Sequence, residues 1–151
     1  MSQSPTQQPT HVIKTATVRL ATVAGTGMRF SAHMGEYSFT LDTGDEAQGP
    51  TPMDVILTAL GGCTGMDVIG ILRKKRQEVT GYEVEVIGER RVDEHPKLYT
   101  KLEIVHRVRG HNLSPAALEE AIRLSDTKYC SVHAMLHQGV PIASRFEILP
   151  E

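Results

Sequence analysis

The two cysteines of this 151-residue chain, Cys63 and Cys130, are the side chains best suited to covalent chemistry at neutral pH. Cys63 stands in Gly61-Gly62-Cys63-Thr64-Gly65, inside an otherwise apolar run. A free cysteine is among the most buried residue types, so its bland reading is that of a small core hydrophobe. Interior helix glycines each cost about 1 kcal/mol against alanine. Three of them around one thiol therefore ask for a reason, either close approach of another segment or access for a substrate to the sulfur. Cys130 precedes a helix start, where the backbone dipole lowers a thiol pKa and favours the nucleophilic thiolate. A thiol in a glycine-opened helix and a second at a helix N-terminus suggest thiolate chemistry with a resolving partner, provided the fold brings the two together.

The elements that must position them follow from the pattern. Residues 51–76 read as one helix: Thr51 caps it, Pro52 suits its first position and Asp54 falls in its first turn. Lys74, Lys75 and Arg76 end it where positive charge complements the dipole. Apolar residues occupy nearly every face, which predicts a buried helix. Asp67 and the glycines make the run too polar for a membrane span. Upstream, residues 11–23, 28–33 and 36–41 alternate or are β-branched and predict three strands. Downstream, residues 82–86 and 98–104 predict a hairpin turning at His95-Pro96. Ser114-Pro115 opens a second helix, residues 131–138 form a short third, and residues 141–149 close with a strand. The order βββ-α-ββ-αα-β predicts an α+β fold of antiparallel sheets around central buried helices. One sheet cannot cover an all-apolar helix on both sides, so a homodimer is expected, the second subunit supplying the cover.

Residues 1–10 read as a disordered polar tail and residues 11–151 as a single domain. The formal charge of −2 gives no reason to expect nucleic acid or an anionic membrane as partner. Without an apolar leader the expected location is cytoplasmic, where two distant cysteines are more often catalytic or redox-active than a staple. His133 and His137 stand four apart, a spacing that can hold a metal. No acid or further thiol is evident beside them, and they read as exposed polar side chains. The basic run from Arg73 to Arg76 reads as a solvated helix end. No metal and no organic cofactor is called for.

The chain resembles the OsmC/Ohr family of organic hydroperoxide reductases. The likeness is carried by Pro52 opening the helix that bears Cys63, and by Tyr129-Cys130-Ser131-Val132 ahead of a short helix. The β-rich first third and the closing strand add to it. The wording LGGCTGMDVIGILRKKRQ is similar to a less characterised branch of that family. The resemblance implies an intertwined dimer with two active sites at the subunit interface. It also implies a thiol peroxidase in which Cys63 attacks an organic hydroperoxide or related small electrophile. Cys130 then resolves the sulfenate, and a dithiol reductant, such as a lipoyl group, opens the disulfide. The alternative is a non-catalytic or redox-sensing relative that binds an apolar small molecule in the interface pocket.

Three departures bear on the activating shell. The family's peroxidases carry a glutamate after the helix-opening proline; here Met53 stands there and Asp54 one residue on, turned by about 100° around the helix. Asp54 is either that acid displaced or only a cap. The peroxidases' loop arginine finds its nearest match in Arg29, with a solvated arginine as the other reading. With Met53 in the acid's place, Arg29 is expected to lack a partner that positions it unless Asp54 reaches round. The usual Cys-Pro is Cys130-Ser131.

Overall fold

The computed structural model describes residues 10–151, so the tail expected over residues 1–10 falls, but for Thr10, outside the described residues. The chain divides after Pro52 into two compact units. In the first, β1 (Thr17–Leu20), β2 (Phe30–Met34) and β3 (Tyr37–Leu41) form an antiparallel sheet in that order. The strand expected over residues 11–23 is four residues long, because β2 offers it partners only from Thr17↔His33 to Leu20↔Phe30.

The second unit, Met53–Glu151, begins with nearly all of α1 (Pro52–Lys74). β4 (Glu78–Arg90) and β5 (Tyr99–His111) form a long antiparallel hairpin. α2 (Pro115–Leu124), a π-helical turn (Ser125–Tyr129) and α3 (Ser131–Leu136) lead to β6 (Ile142–Ile148). β6 pairs with β5 in parallel, from Leu102↔Ile142 to Val108↔Ile148. The long helical crossover that parallel pairing needs is the stretch that carries Cys130. The element order is the expected one, and the α+β class follows.

Two clusters make the core. Val68 and Leu72 of α1 pack with Val108, Leu118, Ala121 and Ile122. Leu60 packs with Leu102, Ile104, Val140 and Cys130 itself. α1 thus buries Leu60, Thr64, Val68 and Leu72, one i, i+4 stripe. The remainder of its apolar circumference is less covered, and Met66 is 77% exposed. Burial all round, expected from composition, is therefore not reached within this chain, because three strands and α2 cover one side of a cylinder. Although Asp67 and the glycines argue against a membrane span, α1 is long and apolar enough for one. Its buried stripe and the hydrogen bond on Asp67 identify it as a core helix. The sheet's outer surface is polar: Arg107 bonds Glu83, Glu85 and Glu147 at 3.0, 2.8 and 3.1 Å.

Candidate active site

On α1, Cys63 and Asp67 are four apart and project on one side. Opposite them the π turn ends at Cys130. The two sulfurs and one Asp67 carboxylate oxygen lie within 4.8 Å of one another. The expected pair is therefore brought together, beside an acid that in the sequence shows only as a break in an apolar run. Its i, i+4 relation to Cys63 was the available signal.

Ser125 builds this arrangement. It is wholly buried, and its backbone carbonyl accepts the Cys130 N–H at 2.9 Å. Its hydroxyl donates to Asp67 Oδ2 at 3.1 Å and pairs with Thr64 Oγ1 at 2.9 Å. One residue thus fixes both the second cysteine and the carboxylate, through a local winding that recurs at functional sites. A sequence reading sees only a serine near a helix end.

The two thiols differ in setting. Cys63 is half-buried and Cys130 is 2% exposed. Cys130 caps α3, its sulfur accepting the His133 N–H at 3.4 Å. The expectation of a thiolate at this helix start is overturned: the thiol is pushed up to about 12. Burial is the main cause, opposed by the His133 N–H and reinforced by neighbouring Cys63 and the negative charge of Asp67. One backbone donor does not offset loss of water around a charged sulfur.

His133 and His137 do not both lie exposed as expected. His137 does, whereas His133 is buried, with Nε2 3.8 Å from Asp126 Oδ1. Burial raises the Asp126 carboxyl.

The glycines face away from the sulfurs. Gly61, Gly62 and Gly65 line an open groove of about 610 Å³ with Tyr82, Val84 and Val86 of β4, and Cys63 is not among its lining residues. A Cβ at Gly61 would stand 3.1 Å from Val86 Cγ2, and one at Gly65 3.4 Å from Val84 Cγ2. These two glycines are explained by close approach of β4, not by access to the thiol.

The proposed shell falls as follows. Arg29, in the first unit, donates from Nε to Asp42 Oδ2 at 2.9 Å. The backbone N–H groups of Thr43 and Gln48 also donate to Asp42, at 2.8 and 2.9 Å. Led by the Gln48 N–H, these bonds hold the Asp42 carboxyl down at about 2. The expectation that Arg29 lacks a positioning acid is thereby corrected; the acid is Asp42, hidden in a polar loop. Asp54 lies exposed in the first turn of α1, and Tyr99 Oη donates to the carbonyl of Met53 at 2.9 Å.

Residues 43–145 match the family model described as OsmC-like protein. Protein YhfA of Escherichia coli K12 is 43% identical over 108 residues, 72% of this chain and 78% of that protein. A hypothetical protein from Aquifex aeolicus VF5 superposes with a TM-score of 0.81 at 33% identity, over 93% of this chain and 99% of its own. The organic hydroperoxide resistance protein OhrB of Bacillus subtilis shares the fold at 14% identity and a TM-score of 0.62, over 90% and 98%. With most of its length inside the family model and a relative this similar, the chain belongs to the OsmC-like protein family.

Proposed function

We propose that this protein is a thiol-dependent peroxidase that reduces organic hydroperoxides. The observation that carries the reading is the juxtaposition of the half-buried Cys63 and the buried Cys130, their sulfurs within 4.8 Å. Cys63, as thiolate, attacks the terminal peroxide oxygen; the O–O bond breaks, the alcohol leaves with a proton, and Cys63 becomes a sulfenic acid. Cys130 attacks that sulfur, water leaves, and a disulfide joins the two residues. A dithiol such as a lipoyl group reduces it, leaving as the cyclic disulfide. The similarity to Ohr-type resistance proteins supports the substrate class. Asp54 is assigned to the charge of the helix start, and Arg29 to its ion pair with Asp42 within the first unit. The less covered apolar side of α1 supports a homodimer, and the cytoplasm is the compartment in which such thiols stay reduced.

A second reading rests on the groove between α1 and β4: an apolar small molecule bound there, with the cysteines sensing redox state. The discriminating experiment follows consumption of tert-butyl hydroperoxide with dihydrolipoamide as reductant. Turnover in the wild type that is lost in Cys63→Ser supports the peroxidase. No turnover above that of Cys63→Ser leaves the binding reading. Light scattering that gives a monomer at micromolar concentration contradicts the dimer.

A further inference from the structure

Resolution of an oxidised Cys63 needs Cys130 to attack as a thiolate, and its surroundings keep that thiol protonated. We infer that Asp67, held by Ser125, is the general base that takes the Cys130 thiol proton during resolution. The inference rests on the two-cysteine reading above and assigns the carboxylate which that reading leaves without a task.

The geometry is that of a relay. One Asp67 oxygen lies within 4.8 Å of both sulfurs, a reach that a rotamer change or one bridging water closes. Oδ2 is fixed by the Ser125 hydroxyl, which Thr64 steadies from the same helix. Asp67 also lines a cleft of about 220 Å³ with Lys74 and Tyr129. Water can enter and leave there. The step balances. Asp67 accepts the Cys130 proton as its sulfur bonds to the Cys63 sulfenic sulfur. The S–O bond breaks, and hydroxide takes the proton from Asp67 and leaves as water. The sulfenic sulfur is reduced and the thiol sulfur oxidised. Among the described residues the titratable groups around Asp67 are Cys63 on its own helix, Cys130 and Tyr129 at the π turn, Lys74 about two turns along the same helix, and Tyr82 on β4, whose hydroxyl is raised by burial and by Asp67.

The test uses 5,5′-dithiobis(2-nitrobenzoate), whose disulfide Cys63 attacks first. Cys130 then expels the second thionitrobenzoate in a separate phase that requires no peroxide chemistry. In Asp67→Asn the ratio of second-phase to first-phase rate is expected to fall about a hundredfold or more at pH 7, the lower end of the usual range for losing a general base. It should then climb steeply with pH, as hydroxide replaces the carboxylate. Ser125→Ala should fall between that variant and the wild type, with circular dichroism reporting an intact fold. A ratio and pH profile unchanged in Asp67→Asn, or no second phase in the wild type, overturns the assignment. Hydroperoxide turnover is scored separately. A wild type that ignores hydroperoxide but shows an Asp67-dependent second phase refutes the peroxidase and leaves the relay standing.

Discussion

Modification by iodoacetamide separates the two thiols sharply if the geometry described above holds. Alkylation proceeds through the thiolate, so rate follows the ionised fraction. A thiol at the ordinary value of 9.0 is roughly one part in ten ionised at pH 8, whereas one at about 12 is roughly one part in ten thousand. Ionisation alone therefore slows Cys130 about a thousandfold relative to an unperturbed thiol, and its 2% exposure adds a steric barrier. The assay is peptide-resolved mass spectrometry of reduced protein quenched over time at pH 8, with urea-unfolded protein as reference. In the unfolded chain both cysteines should label at similar rates. In the folded protein Cys63 should label first. Cys63→Ser removes part of the perturbation at Cys130 but leaves burial, so Cys130 should stay far slower than in urea. Labelling of folded Cys130 within tenfold of the unfolded rate would refute the reasoning and with it the assignment of Cys130 as the shielded resolver.

Other consequences are directly measurable. The Cys130 thiol is raised in the folded state, so its contribution to stability is fully present below about pH 9 and is lost as pH climbs towards 12. Urea midpoints taken across that range should fall, and less steeply in Cys130→Ala. His106 runs the other way: burial lowers it to about 4, so its contribution is present above pH 6.5 and is lost as pH falls towards 4. Tyr82 Oη bonds His106 Nδ1 at 2.7 Å. Tyr82→Phe leaves that nitrogen unpaired and should cost about 1–3 kcal/mol in urea unfolding at pH 7. Removing Leu60, fully buried beside Cys130, by Leu60→Ala should cost about 2–5 kcal/mol. An unchanged midpoint would contradict the packing of α1 on β5.

Much of the fold was legible because it rests on local signals. Alternation marked β3 to β5, Ser114-Pro115 marked α2, and Pro52 with a basic end marked α1. What escaped was set by contacts between distant segments. The length of β1 depends on its partner, and the parallel placement of β6 depends on how the crossover lies. The two cysteines could be named from type and setting, but Asp67 and Ser125 acquire meaning only when α1 meets the π turn. The ionisation of Cys130 was misread for the same reason: a helix start is visible in sequence, whereas 2% exposure is not. Asp42 illustrates the point once more, since a loop aspartate shows no sign that two backbone donors and Arg29 converge on it.

The central claim is that hydroperoxide converts Cys63 and Cys130 of one chain into a disulfide. The most direct measurement adds one equivalent of tert-butyl hydroperoxide to fully reduced protein and counts remaining thiols. Non-reducing electrophoresis and peptide mapping then locate any new bond. Two thiols should be lost per chain, with an intrachain Cys63–Cys130 disulfide and no intermolecular crosslink. Cys130→Ser should stop at a Cys63 sulfenic acid that dimedone traps. Two free thiols after that treatment, or equal dimedone labelling of Cys130 in Cys63→Ser, would contradict it.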